Sequence, residues 1–367
     1  DLTALAAAIS ASVHQAERTS GFEINRAFVS LAGGQIAPRN SRGAVGLIGS
    51  RGVREEDVEK AIENARMIAI PHNREVLHVI PRSYALDGVH TVRSPIGMHG
   101  FRLEVEVHII TAPATVVANL EQALRASLIE PDRFILNPLA SGDAVLTDEE
   151  REMGVVVIDI GGGTTDLAIF IEGSVWHSAV IPIGGDLITS DLTHWMRVPF
   201  DVAEAVKLQY GHARQKAVGP LEAFAVQTFG ADGPDEFKRA DIAMVVEARA
   251  AEIFEKVLEE IKHSGYDGLL RAGAVITGGC AQLPGIRDLA SDVLDMPVRL
   301  AKPERLTGMA DVLRSPAFST SVGLLRLGLQ MESASSLVAN GNGGASSLKL
   351  GKWLGGLFRG LLPDEEA

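Results

Sequence analysis

The stretch Val155-Val-Val-Ile-Asp159-Ile-Gly161-Gly162-Gly163-Thr164-Thr165-Asp166 holds the residue types that meet a phosphate. A β-branched strand ends in the carboxylate of Asp159. Three glycines then let the backbone turn tightly and approach a ligand closely. Two hydroxyls and a second carboxylate follow on the returning strand. Backbone N–H groups of Gly161, Gly162 and Gly163 and the hydroxyls of Thr164 and Thr165 suit phosphate oxygens. Asp159 and Asp166 suit Mg2+, a hard cation that takes oxygen ligands and keeps several waters, so part of the coordination is expected through water. Competing motifs fail. The chain has no G-x-x-x-x-G-K-[ST] string, and a dinucleotide fingerprint would need glycine in place of Asp166 and a helix after it. A plain glycine hairpin is the bland alternative.

A second stretch, Val275-Ile-Thr277-Gly278-Gly279-Cys280-Ala-Gln-Leu-Pro284-Gly285, reads as a strand, paired glycines and a helix from near Pro284. Gly278 and Gly279 would let a flat base or a ribose lie on the backbone. Gly184 and Gly185 form another small-residue loop. Glu204 and Lys207, three apart on a helix face, suit ribose hydroxyls or a base edge, or form an ordinary surface pair. Cys280 lacks a His/Asn partner pattern and reads as a small residue packed beside the ligand. His78 and His108 read as strand-face residues, since the histidines have no metal-ligand spacing. No G-x-S-x-G occurs.

The elements that must position these residues follow from periodicity. Helices are expected over Leu2–Glu17, Glu55–Met67, Pro113–Leu128 and Asp241–Lys262, and from Asp201 to about Tyr210, with Asp201 and Glu204 at capping-box spacing. Strands are expected at Ala27–Leu31, Glu75–Tyr84, Val155–Asp159, Leu167–Ile171 and Ala274–Thr277. Arg102–Thr111 alternates Leu103, Val105, Val107 and Ile109 with Glu104, Glu106 and His108, a half-buried strand with a wet face. Asn40-Ser-Arg-Gly43 reads as a turn. The alternation of strands, helices and glycine turns indicates an α/β protein.

The 367 residues are 46% hydrophobic and 22% charged, enough apolar material for two or three cored domains. A net charge of −13 argues against a nucleic-acid partner, whose phosphates need clustered cations. The single cysteine permits no intrachain disulfide and fits a reducing compartment. No apolar run approaches the length of a membrane span. The chain begins at Asp1 without a signal-peptide pattern, and its natural start is read as lying upstream.

In this order the motifs resemble the actin-like ATPase superfamily, Asp159–Asp166 its second phosphate motif and Thr277–Gly285 its adenosine motif. Glu75–Asp87, Pro95–Gly100 with the strand to Thr111, and Asn137-Pro-Leu-Ala-Ser141 leading to Asp159 resemble the bacterial cell-division family FtsA. The resemblance covers roughly 1–330 and the terminal segment. It implies an actin-like fold of ribonuclease-H-like subdomains around an ATP and Mg2+ cleft. Its layout would be 1A over 1–20, an inserted SHS2-like 1C over 21–111, 1A over 112–153, 2A over 154–195, 2B over 196–265, 2A over 266–305 and a return to 1A over 306–330. It implies actin-like filaments and a tether that joins the tubulin-like FtsZ, through its C-terminal peptide, to the cytoplasmic face of the inner membrane at the division site. It also implies recruitment of later division proteins. The FtsZ peptide site falls in subdomain 2B, where Arg239, Arg249 and Lys256 are candidate partners for an acidic tail. One departure stands out. The superfamily's opening D-x-G-[TS] hairpin is not in this sequence, and Asp1-Leu2 resembles a point inside the family pattern, so one wall of the phosphate cradle is expected to be lacking. Asp159 is placed to orient metal-bound water, but no residue stands out as a general base. Nucleotide is therefore read as a conformational and polymerisation ligand, with at most weak hydrolysis.

Composition shifts after Gln330. Residues 331–347 read as a flexible linker, and 348–363 as a membrane-targeting helix. Leu350, Trp353, Leu354, Leu357, Phe358 and Leu361 fall on one helical stripe, with Lys352 and Arg359 opposite and Lys349 toward the flank. Six buried apolar side chains would contribute roughly 10 kcal/mol gross, and three cations near anionic lipid about 1 kcal/mol each. Four glycines cost about 1 kcal/mol each in a helix, so the segment is expected to fold only at a surface and to gain from avidity on polymerisation. A helix docked on the protein's own core or in a partner's groove is the alternative. For the whole chain, the alternatives are a related pilus-assembly actin homologue and a small-molecule phosphotransferase of the same superfamily. A chaperone-like ATPase would need a substrate domain for which the chain has no room.

Overall fold

The computed structural model describes residues 1–47, 51–67, 70–304, 306 and 311–339. The expected residues Lys349, Leu350, Lys352, Trp353, Leu354, Leu357, Phe358, Arg359 and Leu361 therefore lie outside the described residues.

The chain opens with helix α1 (Leu2–Ser20), capped by the Asp1 carboxylate, and strand β1 (Arg26–Leu31). A four-stranded antiparallel sheet follows, built from β2 (Ala37–Gly46), β3 (Arg74–Leu86), β4 (Val89–Val92) and β5 (Arg102–Pro113) in the order β2-β5-β3-β4, with helix α2 (Glu55–Arg66) against it. Its core is Val58, Ala61, Leu103, Val105, Val107 and Ile109 with their neighbours. Helix α3 (Ala114–Ala126) packs on α1 and leads into β6 (Glu130–Leu136), which pairs in parallel with β1. Sequence-distant β1 and β6 thus enclose the four-stranded sheet as an insertion.

Helices α4 (Asn137–Val145) and α5 (Asp148–Met153) precede the central sheet. It contains β7 (Val155–Ile160), β8 (Thr165–Ile171) and β9 (Ser174–Ile181) as an antiparallel meander. Helices α6 (Gly185–Met196) and α7 (Phe200–Tyr210), the hairpin β10 (Ala223–Gln227) and β11 (Pro234–Lys238), and the long α8 (Arg239–Ser264) come next. Strand β12 (Ala274–Thr277) returns beside β7 in parallel, and β13 (Val298–Leu300), after α9 (Ile286–Leu294), completes the order β13-β12-β7-β8-β9. Helix α10 (Ser319–Ala339) closes the described chain.

Every residue of β7 and β8 is buried because both faces of the sheet are covered. Val155, Val157 and Phe170 pack into one core with Leu139, Val322 and Leu327 of α4 and α10. Val156, Ile158 and Ile169 pack into the other with Phe254, Val257 and Leu289 of α8 and α9. Helices α4 and α10 lie closer than ordinary side chains allow, since a Cβ at Gly323 would run into the Ala140 carbonyl. The carbonyl end of α4 is held by three guanidinium groups from three elements. Arg151 donates to Gly142 O (3.1 Å), Arg326 to Asp143 O (3.1 Å) and Ala144 O (3.3 Å), and Arg299 to Val145 O (3.0 Å). Cations at a helix C-terminus offset its macrodipole.

Four expectations change. Asn40–Gly43 is not a turn but the middle of β2, paired with β5 along its length; Gly43 sits there because α2 presses on it, its missing side chain making room for the Ala61 carbonyl. The wet face of β5 is dry at His108, which the neighbouring β9 covers. Helix α7 starts one residue before Asp201 with Pro199 at its cap, so Asp201 is a first-turn residue. The helix that begins at Ser319 continues through residues 331–339, the first part of the expected linker, and Met331 is buried. Among the described residues, no helix is long and apolar enough to cross a membrane.

Candidate functional site

The glycine turn and the loops before α6 and after β12 converge at one end of the central sheet. Gly161, Gly162, Gly185, Asp186, Glu204, Lys207, Gly279, Cys280 and Pro284 line a cavity of about 440 Å3, within the size range of small-molecule sites. The turn closes with Gly161 N–H donating to Thr164 O (2.9 Å). It is zipped to the start of α6 by Gly185 N–H to Gly161 O (2.9 Å) and Asp186 N–H to Gly162 O (2.8 Å). Gly162 and Gly163 are exposed, while Gly184 is buried against the Gly161 and Gly162 carbonyls. Gly278, at φ +91°, abuts Asp159 from the neighbouring strand.

The two carboxylates face each other in register across β7 and β8. They lie off the cavity wall, in a polar cluster under the glycine turn. Asp166 accepts from Thr164 Oγ1 (2.9 Å) and from Asn137 Nδ2 at the start of α4 (3.4 Å). Burial pushes its carboxyl up to about 7, and the neighbouring charge of Asp159 adds to this. Asp159 accepts from Thr320 Oγ1 in the first turn of α10 (2.8 Å). Burial raises its pKa, and the Thr320 hydrogen bond opposes the rise. Two polar oxygens in the cluster are buried without a hydrogen-bond partner, Asp166 Oδ1 and Asn137 Oδ1, while Ser141 bonds the Asp159 carboxylate. Such a concentration of unmet acceptors around two carboxylates fits a hydrated Mg2+, whose waters would fill them. Among the described residues no set of three or more His, Cys, Asp or Glu could hold a metal, so a cation would be held by this pair, neutral oxygens and water.

The other expected residues are placed as follows. Thr165 is fully buried and donates to Ile183 O (2.7 Å), tying the turn to the next loop. Lys207 reaches the cavity wall, but its ammonium donates to Glu204 Oε2 (2.6 Å), Thr189 Oγ1 (2.8 Å) and Gly185 O (3.1 Å). All three of its donors are thus engaged within the protein, one of them on Glu204. Cys280 lines the wall, and burial pushes its thiol up to about 11, which leaves it protonated and unreactive. Arg249 is paired with Asp191 (2.7 and 3.0 Å) and with Glu252. Arg239 bonds Glu222 (2.6 Å) and Tyr210 O (3.0 Å), and Lys256 bonds Glu259 (2.8 Å). His78 and His108 are buried strand residues, as expected, and each is hydrogen-bonded.

Asn137, Ser141, Thr189 and Thr320 complete the site and were not singled out as ligands by spacing. Asn137 and Ser141 stood in a stretch that resembled a family pattern. Thr320 carries no local signal, because it meets Asp159 only through the fold.

The parallel β1–β6 pair, the five-stranded sheet with its glycine turn and the helices around them define the actin-like ATPase fold, with an SHS2 domain inserted in its first half. The PilM–PilN type IV pilus biogenesis complex shares this fold, with a TM-score of 0.61 at 18% identity, over 88% of this chain and 84% of that one. The family model described as "Cell division protein FtsA" matches residues 156–323, and that of the "SHS2 domain inserted in FTSA" matches 33–111. The cell division protein FtsA of Pseudomonas aeruginosa is 42% identical over 325 residues, 89% of this chain and 78% of that protein. The one of Neisseria meningitidis serogroup B is 38% identical over 365 residues, 98% of this chain and 88% of that protein. The chain belongs to the FtsA family of cell division proteins.

Proposed function

We propose that the cleft binds ATP with Mg2+ and that the protein is a polymerising membrane tether of the division ring. The observation that carries the nucleotide reading is the convergence of two glycine loops and Glu204 on one cavity, with an unsatisfied carboxylate cluster under the turn. Phosphates would lie along Gly161–Gly163 and Mg2+ at Asp159 and Asp166. The adenosine would lie between Gly279 and the Glu204 carboxylate. Bound Mg2+ would neutralise the phosphate charge. The protein's own part is to hold the nucleotide and to link the helices around the site to its presence. The proposed subdomain boundaries are those that the family resemblance implies.

The membrane reading rests on the apolar stripe and basic back of 348–363. Anionic lipid on the cytoplasmic face of the inner membrane would bind it weakly in one copy and strongly in an actin-like filament. The FtsZ C-terminal peptide would meet the face carrying Arg239, Arg249 and Lys256 by exchanging with the carboxylates that now pair them, and later division proteins would join the same assembly. The test is co-sedimentation with anionic liposomes. The full chain should pellet, more strongly with Mg-ATP, and a chain lacking Ser346–Ala367 should not. Pelleting of the shortened chain would overturn the tether.

A further inference from the structure

The two buried carboxylates are addressed by two different helices. Asn137, the first residue of α4, donates to Asp166, and Thr320, in the first turn of α10, donates to Asp159. The helices are themselves locked where Gly323 meets Ala140. The turn that carries Thr320 is pinned on its other side. Ser319 Oγ and Thr277 Oγ1 lie 2.6 Å apart, Thr277 donates to Ala301 O (3.1 Å), and Gly278 N–H donates to Pro316 O (3.2 Å). The backbone that carries Thr320 therefore cannot shift without parting α10 from the loop that carries Gly278 and Gly279.

A carboxylate as buried as Asp159 has one soft torsion that decides where its oxygens point. A hydroxyl fixed on Oδ2 holds that torsion, with Ser141 as a further hydrogen-bond donor to the carboxylate, and Oδ1 lies beside Gly278. We propose that Thr320 is a positioning residue for Asp159, and that its hydroxyl sets how tightly the cluster holds the Mg2+ accompanying a nucleotide. The inference rests on the Mg-ATP reading of the cleft and makes the first turn of α10 part of the site.

The experiment is a Mg2+ titration of the full chain with a fluorescent ATP analogue, read by anisotropy, with a parallel series in EDTA. Thr320→Val keeps the shape and removes the donor. The Mg2+ concentration for half-maximal binding should rise at least about tenfold, the scale of a hydrogen bond to a charged group. Nucleotide binding in EDTA should be unchanged. Thr320→Ser should restore the wild-type midpoint. Ser319→Ala loosens the same turn without touching Asp159 and should stay within about twofold. A Thr320→Val midpoint equal to wild type overturns the inference, and so do equal shifts in Thr320→Val and Ser319→Ala, which would mean that only the seating of the helix matters. If Thr320→Val does not fold by circular dichroism, Thr320→Ala carries the same expectation. Absence of binding by the wild-type chain, with and without Mg2+, would remove the nucleotide reading and this inference with it.

Discussion

Two buried polar clusters hold this molecule together, and they differ in one respect. At the joint between the inserted sheet and the central sheet, His108 has both ring nitrogens partnered, Nδ1 with Asn40 Oδ1 (2.7 Å) and Nε2 with Ser178 Oγ (3.0 Å). Arg82 lies nearby over the Trp176 and Tyr266 rings and donates to the Tyr266 hydroxyl. Under the glycine turn, Asp159 and Asp166 are also buried, and Asp166 Oδ1 and Asn137 Oδ1 have no partner. Burying a polar group costs little when its hydrogen bonds are made and much when they are not. At the joint the atoms left without a partner are nitrogens, Arg82 Nε, Trp176 Nε1 and His177 Nε2. Under the turn they are oxygens beside two carboxylates, which suits water carried by a cation.

The comparison can be broken most severely at Gly323. A valine there would collide with the Ala140 carbonyl and push α10 off α4, taking Thr320 and Asn137 away from their carboxylates together. A loss of about 3 kcal/mol or more is expected in urea unfolding. A loss below about 1 kcal/mol would mean that the two helices are not locked at this crossing.

Acid should separate the clusters next. Burial lowers His108 to about 3 and His177, 6.4 Å away between ring centroids, to about 4. Between these values and 6.5 the unfolded chain's histidines bind protons that the folded chain's refuse, so the histidine contribution to stability falls as pH drops through that window, against the opposite contribution of Asp166. A loss of about 2 kcal/mol per histidine from pH 6.5 to 4.5 is expected. His108→Gln should flatten the slope, and an unchanged slope would refute the assignment.

Asp166→Asn sharpens the comparison in the opposite sense. Burial holds the Asp166 pKa near 7, so above that pH the folded state carries a charge that the unfolded state accommodates more readily. At pH 8 without Mg2+ the variant should be more stable than wild type, by about 1 kcal/mol, while Mg2+ no longer promotes nucleotide binding. His108→Ala should do the reverse, destabilising the fold with the Mg2+ response intact. A destabilised Asp166→Asn would place both clusters in the same class. The smallest effect belongs to Lys256→Ala, whose pair with Glu259 is solvent-exposed. Its stability should stay indistinguishable from wild type by the same measurement.

What could be read along the chain was whatever a single contiguous segment encodes. The carboxylates and glycines from Asp159 to Asp166 sit on one strand, turn and strand, so their placement was legible, and so was the paired glycine loop at Gly278. Thr320 lies 161 residues from Asp159, and only the closed fold brings them together. Lys207 was found, but not that Thr189 and Gly185 would hold it, because both come from another helix. Asn40–Gly43 has the composition of a turn and became a strand because β5 pairs with it and α2 needs the space at Gly43. Local preference gave way to packing there. The cations on α8 were visible as a charged face, whereas the carboxylates of Asp191 and Glu222 that meet two of them belong to distant segments.

The three guanidinium groups on the last carbonyls of α4 have a mechanical meaning. A helix of this length is a rod of about 13 Å, and an ordinary one absorbs a push at one end by fraying at the other. Here the far end is clamped to α5, β13 and α10 at once. The end of α4 that begins beside the carboxylates at Asn137 is thus tied, through one short helix, to three separate elements at the other end.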